Sequence, residues 1–156
     1  MRSAEVGRGR RVVVVLENGD DVLGAIGTAC IDNGIREAII PVFLGAFTSV
    51  TLIGTRDPIA DPDAPLPAVS EVRWVEGVGS GTVAPASDGT LAVHLHAAVG
   101  DKADGALGYA GHVTAATTHY TVELVLDEVV FSEVPGTMFV RRPDATAHGI
   151  PTLCFA

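Results

Sequence analysis

Short apolar runs separated by turn signals fill most of this 156-residue sequence. The spacing of these turn signals constrains the fold more than any other feature. A run is typical of a strand when it is rich in β-branched residues or alternates between apolar and polar residues, and when Gly, Pro or Asp bounds it at each end. The runs of this type are 11–16, 36–44, 48–54, 71–84, 90–99 and 117–130. Asp88-Gly89 between two of them is a strong hairpin turn signal. The sequence therefore predicts a β-rich chain with a long hairpin.

One stretch has helical spacing instead, because apolar residues recur at three- and four-residue intervals over Val22–Asp32. Asp20 or Asp21 supplies an N-cap, and Asn33-Gly34 supplies a left-handed stop. The segments 55–70 and 101–111 are predicted as loops, and the tail 131–156 as irregular chain with short extended pieces. Pro41 is predicted to mark a bulge or an edge position. We expect an α+β fold, with a single mixed, largely antiparallel sheet and one main covering helix.

Length and composition indicate one compact domain, which we place at residues 11–156 after a flexible segment 1–10. Hydrophobic residues make up 47% and charged residues 19%, which excludes a disordered chain, and no run is long enough to span a membrane. The first twenty residues lack a signal-peptide pattern, and two cysteines do not make a disulfide framework. We expect a cytoplasmic protein.

Two histidines share one face of a predicted strand in LAVHLHAAV (91–99). His94 and His96 point the same way because side chains alternate along a strand, and their Cα atoms are roughly 6.5–7 Å apart. Two imidazoles at that spacing can reach one metal ion, and zinc suits this chemistry. His112, after a loop that can fold back, supplies a third ligand, and Gly111 permits close backbone approach.

The alternative is that His94 and His96 are ordinary histidines on a solvated strand face. His119, which shares a face with Thr121 and Glu123, is interpreted as a structural histidine. His148 is interpreted as a solvated residue of the irregular tail.

At these positions the sequence resembles the plant and prokaryote conserved domain. The matching stretches are GDDVLGAIGTACIDNGI, FLGAFTSVTLIG, GSGTVA with HLHAAVGD, YAGHV followed by THYTVELVL, and RRPDATAHGIPTL. The resemblance implies a compact homotrimer. It also implies metal binding by His94, His96 and Gly111-His112, since relatives with HxH and a later Gly-His step are metal binders.

Two departures from the family pattern stand out. Ala110-Gly111-His112 replaces the usual Gly-Gly-His, and the Asp- and Pro-rich loop 55–70 is additional. In plants the same domain is joined to AT-hook DNA-binding segments, and that link extends to bacterial relatives only by analogy.

DNA binding is the alternative function. Gly7-Arg8-Gly9-Arg10-Arg11 resembles an AT-hook core, which inserts Arg-Gly-Arg into the minor groove, although the flanking prolines are absent. Ten Lys and Arg stand against nineteen Asp and Glu, a formal charge of −9, and such a surface repels polyphosphate. We therefore rank DNA binding second.

The first hypothesis is a metal-dependent enzyme of hydrolase or lyase type, or a binder, acting on a small anionic molecule. Glu123 is the predicted general base or partner of a metal ligand. The alternative is that Glu123 is a solvated strand residue without a catalytic role. Arg141 is the predicted substrate-binding residue, although Arg141 and Arg142 are both also suited to pairing with surface acids. A third hypothesis is a structural trimer in which the metal only stabilises the fold.

Overall fold

The structure, a computed structural model, describes residues 3–54, 69–131, 138–147 and 149–155. Seven strands and one α-helix follow one another in chain order within these ranges. They are β1 (Gly7–Glu17), α1 (Val22–Asp32), β2 (Ala38–Ile53), β3 (Val69–Pro85), β4 (Leu91–Asp101), β5 (Leu107–Val130), β6 (Phe139–Pro143) and β7 (Pro151–Phe155). No helix in the described ranges has the length and apolar character needed to cross a bilayer.

The main sheet has the order β1-β5-β2-β3-β4, and a further pairing between β4 and β5 closes it on itself. This closure is possible because β5 is 24 residues long. Its first part pairs with β4 over 107–113, and its last part pairs with β1 over 121–130. A largely antiparallel sheet with one helix is thus confirmed. The predicted mixed character is wrong, since every described strand pairing is antiparallel and the one parallel contact is the isolated bridge between Ala86 and Arg141.

Helix α1 has the predicted bounds and the predicted caps. The Asp21 carboxylate accepts a hydrogen bond from the Gly24 amide, which satisfies one of the free donors of the first turn. Gly34 adopts φ +65 at the other end, and the Ile35 amide donates to the Cys30 carbonyl. The helix buries Val22, Ile26 and Cys30 against the sheet.

The runs 36–44 and 48–54, predicted as two strands, form the single strand β2. Gly45 does not turn the chain; it lets β5 pass close by, since a Cβ there would clash with the Thr121 carbonyl and lie 2.7 Å from the Val122 Cα. The bulge predicted at Pro41 is confirmed, because the register of β2 shifts between Ile40 and Phe43.

Asp88-Gly89 forms the predicted turn between β3 and β4, where Gly89 has φ +86 and the Ala86 amide donates to the Thr90 carbonyl. The loop predicted at 101–111 is shorter, because β4 continues to Asp101 and β5 begins at Leu107. Gly108 pairs with Gly100, so these glycines extend the hairpin instead of interrupting it.

The start of the chain contains more strand than the sequence pattern predicts. Strand β1 begins at Gly7, ahead of the apolar run, and Arg10 and Arg11 pair with acids of β5. The short extended pieces predicted in the tail 131–156 are β6 and β7, which form a two-stranded antiparallel sheet. Most of the predicted loop 55–70 lies outside the described residues.

The core lies between the inner face of the closed sheet and α1. Its largest fully buried side chains include Phe43, Phe47, Ile26 and Leu95. Burying each such side chain stabilises the fold by about 1.5–3 kcal/mol. Because Leu95 and Ala97 point into this core, their neighbours on β4 face outward.

Candidate metal centre at the closure of the sheet

His94 and His96 lie on the outer face of β4, as the alternation predicts. Leu95 between them is fully buried, whereas His96 is exposed and His94 half-buried. The strand thus anchors the pair through its inner face and presents both imidazoles on its outer face.

His112 reaches the same place because β4 and β5 pair where the sheet closes. His96 and His112 are direct partners in the antiparallel register. Gly111, next to His112, lets β2 lie close to β5, since a Cβ at residue 111 would lie 2.7 Å from the Ile53 carbonyl oxygen of β2. The close approach predicted for Gly111 is therefore confirmed.

The three imidazoles form a compact cluster. Ring centroids are 5.2 Å apart for His94 and His96, 4.5 Å for His94 and His112, and 5.3 Å for His96 and His112. One ring nitrogen from each lies within 4.8 Å of the others. Tetrahedral zinc with nitrogen ligands at about 2.0–2.1 Å needs a nitrogen spacing of roughly 3.3 Å, so the three rings would draw closer together to hold the ion.

The surroundings of His94 and His112 favour the neutral imidazole, which is the form that binds metal. Burial, the charge of Arg141 and the neighbouring histidines lower the pKa of His94 from 6.5 to about 4. Burial and the charges of His96 and Arg141 also lower the pKa of His112, and the Leu95 backbone opposes part of that shift. Even so, His112 Nδ1 is buried and has no hydrogen-bond partner among the described residues. An orphaned ring nitrogen in a three-imidazole set fits a divalent ion that prefers nitrogen ligands.

The cluster opens into a pocket of about 520 Å³. Its wall is mostly apolar, and the described lining contains no Asp or Glu. It consists of Ile53, Gly54, Ala92, Val93, His94, His96, His112, Thr114, Arg141, Ile150 and Pro151. The three histidines could hold a metal ion and leave space beside them for a small molecule, which is the arrangement of an open metal site.

Arg141 is the one charged side chain in that lining besides the histidines. It is 9% exposed, and its guanidinium donates to Thr82 Oγ1 at 2.8 Å and to the Pro151 carbonyl at 3.3 Å. Thr82 pairs with His94 in the β3–β4 register, so this bond fixes Arg141 beside the cluster. Burial lowers the pKa of Arg141.

The other nominated residues lie elsewhere. Glu123 is exposed on β5, eleven residues beyond His112, and pairs with Val15 and Leu44, so within one chain it is not brought to the histidines. His119 packs edge-on against Trp74 at 5.1 Å. Arg142 is exposed outside the pocket. His148 lies outside the described residues.

The basic cluster of the AT-hook-like segment is largely paired within the chain. Arg10 makes a two-bond contact with Glu128 at 2.9 and 2.8 Å, and Arg11 makes one with Asp127 at 2.6 Å for both bonds. The bonds from Arg10 lower the pKa of Glu128 to about 2. An AT-hook needs guanidinium groups that are free to enter the minor groove. Here the segment is part of strand β1 and is paired with β5.

Sequence reasoning missed Thr82 and the Ile150-Pro151 wall of the pocket. Thr82 lies within an unremarkable GSGTVA stretch, and only the register of β3 places it opposite His94. Ile150 and Pro151 reach the site because β6 and β7 pair with each other. No local sequence signal marks either feature.

Fold and site together define a small β-rich domain with a three-histidine centre where its sheet closes. The profile of the family described as the Plants and Prokaryotes Conserved (PCC) domain matches residues 3–130, and the chain belongs to this family. The resemblance drawn from the sequence is thus confirmed. None of the curated proteins compared with this chain matches it.

Solved structures with the same fold cover nearly the whole chain. A plant- and prokaryote-conserved protein of Pyrococcus horikoshii has a TM-score of 0.77 at 19% identity, covering 97% of both chains. A metal-containing protein of Archaeoglobus fulgidus has a TM-score of 0.75 at 22% identity, covering 99% of both chains. A protein of Bacteroides thetaiotaomicron, whose name carries a provisional DNA-binding assignment, has a TM-score of 0.73 at 19% identity, covering 96% of this chain and 97% of its own.

Proposed function

We propose that this protein binds a divalent metal ion, zinc by preference, with His94, His96 and His112, and uses the centre on a small anionic molecule. The observation that carries the proposal is the convergence of three imidazole nitrogens within 4.8 Å at the mouth of a pocket. The similarity of fold to the metal-containing protein of A. fulgidus supports it.

The roles follow from the lining of the pocket. The bound ion would supply Lewis acidity toward an oxygen of the ligand, which favours hydrolase or lyase chemistry. Arg141 would hold the negative charge of the ligand, and the apolar wall would exclude water from it. The described lining offers no carboxylate base, so binding and orientation are the functions that this chain's residues support most directly.

We also propose that the chain works as a homotrimer. A row of exposed residues crosses the outer face of the sheet from Val15 through Glu123, Leu44, Val78 and Ala98 to Ala110, each paired with the next. Val15, Leu44 and Val78 are 54%, 46% and 54% exposed. A row that is apolar apart from Glu123 favours burial against further copies of the chain. Sedimentation equilibrium at micromolar concentration tests it, and a monomer contradicts it.

Metal analysis of the purified protein tests the centre. His94→Ala, His96→Ala and His112→Ala are each expected to lose most of the bound metal, because an open three-ligand site loses geometry and affinity with any one ligand. His119→Ala is the matched control and is expected to retain its metal, since His119 contacts Trp74 and Tyr120 instead. Full occupancy in His96→Ala, or no uptake by the wild type at neutral pH, contradicts the proposal.

A further inference from the structure

Arg141 carries a buried charge whose neutralisation within the described chain is incomplete. Its guanidinium has two neutral acceptors, the Thr82 hydroxyl and the Pro151 carbonyl, and it forms no ion pair with any described acid. Its Nε atom is buried and has no hydrogen-bond partner among the described residues. An unpaired buried cation is costly, so this arrangement favours an anion that completes it.

Arg141 lines the same pocket as the three histidines. Thr82 and Pro151 hold its guanidinium in place before any ligand arrives. A planar guanidinium matches the planar oxygens of a carboxylate.

We infer that the ligand of this centre is a monoanionic carboxylate with a short apolar substituent, its carboxylate held by the guanidinium of Arg141. This inference rests on the proposed metal centre and specifies the class of molecule that it takes.

The lining separates a carboxylate from a phosphate. A phosphate group presents more oxygens and a second charge, and protein sites for it offer several N–H donors. In the described lining, Arg141 and Thr114 are the polar side chains besides the histidines. Ile53, Val93 and Ile150 fit instead the apolar substituent of a carboxylic acid.

Titration of the full chain with butyrate and with inorganic phosphate tests the inference. Metal affinity is measured first, with cobalt(II) as the spectroscopic probe, in the wild type, Arg141→Gln, Arg141→Lys and the control Arg142→Gln. Butyrate binding then follows from the cobalt absorption spectrum and from calorimetry. We expect butyrate to bind the wild type and Arg142→Gln equally, and Arg141→Gln to bind it roughly tenfold or more weakly. Cobalt affinity of the control Arg142→Gln is expected to match that of the wild type, and butyrate binding is compared at full cobalt loading of each protein.

Arg141→Lys replaces Arg141→Gln in the test if Arg141→Gln does not fold, since it keeps the charge and loses the planar guanidinium. We expect it to bind butyrate more weakly than the wild type does. Equal butyrate binding by folded Arg141 variants and wild type overturns the inference. Phosphate binding at least as tight as butyrate binding also overturns it, as does no butyrate binding to the cobalt-loaded wild type.

If the wild type takes up no cobalt, the proposed metal centre fails, and calorimetry on the metal-free chain still tests Arg141. Butyrate binding that depends on Arg141 and not on Arg142 then supports the carboxylate inference alone. Its absence refutes both.

Discussion

Gly111→Ala tests how the closure of the sheet positions the metal centre. A Cβ at residue 111 would lie 2.7 Å from the Ile53 oxygen and 3.3 Å from its carbonyl carbon, whereas ordinary contact begins at 3.4 Å. The β2 and β5 backbones must then move apart by about 0.7 Å next to His112. Such overpacking costs about 1–3 kcal/mol of unfolding free energy. Metal sites tolerate about 0.2 Å in ligand distance, so we also expect a loss of roughly 10–100-fold in zinc affinity.

Urea denaturation of the chelated protein measures the first effect, and zinc competition with a chromogenic chelator measures the second. Gly108→Ala is the matched control, because it lies on the same strand and a Cβ there meets nothing within 4 Å. We expect the control to match the wild type in zinc affinity. A Gly111→Ala protein with wild-type stability and zinc affinity would refute the argument that close backbone approach builds the site.

Three further predictions concern ionisable groups. Metal-free protein should lose stability as the pH falls from about 6.5 to about 4, because the unfolded chain protonates His94 at its ordinary pKa of 6.5 and the folded chain only near 4. We expect a loss of unfolding free energy on the order of 1–2 kcal/mol after allowance for solvent screening. Urea titrations of the wild type and His94→Gln check it, and equal pH dependence of the two proteins would contradict it. In gel-shift titrations at about 150 mM salt we expect no specific binding of duplex DNA, since Arg10 and Arg11 are paired; tight binding that disappears on deleting residues 1–10 would reverse this view. Cys30 should resist alkylation in the folded protein, because burial raises the pKa of its thiol to about 11, and mass spectrometry after iodoacetamide treatment would reveal any native labelling.

Local patterns in the sequence were sufficient for the elements whose cause is local. Helix α1 follows from its apolar spacing, Asp21 and Gly34, and the hairpin turn follows from Asp88-Gly89. The His94 and His96 pair follows from alternation along one strand. Each of these depends on residues close together in the chain.

Features that depend on register between distant strands were not predictable in the same way. The sequence shows neither that Gly45 continues a strand nor that Thr82 lies opposite His94, because both depend on which strands pair. For the same reason Glu123, nominated from its strand alone, lies eleven residues from His112. His112 was linked to the pair by a loop that can fold back and by the family resemblance, and only the strand register shows that it lies opposite His96.

The pairing that closes the sheet has a kinetic consequence. Strands β4 and β5 are joined from Leu95 and Val113 to Asp101 and Leu107, which is a shorter ladder than β2 makes with β3 or β5. His96 and His112 lie on opposite sides of this ladder. Each local opening would separate these two histidines, so we expect the lifetime of an ion at the proposed centre to follow the opening rate of this ladder and not the global unfolding rate. Exchange of isotopically labelled zinc and amide hydrogen exchange along β4 should then share one rate constant.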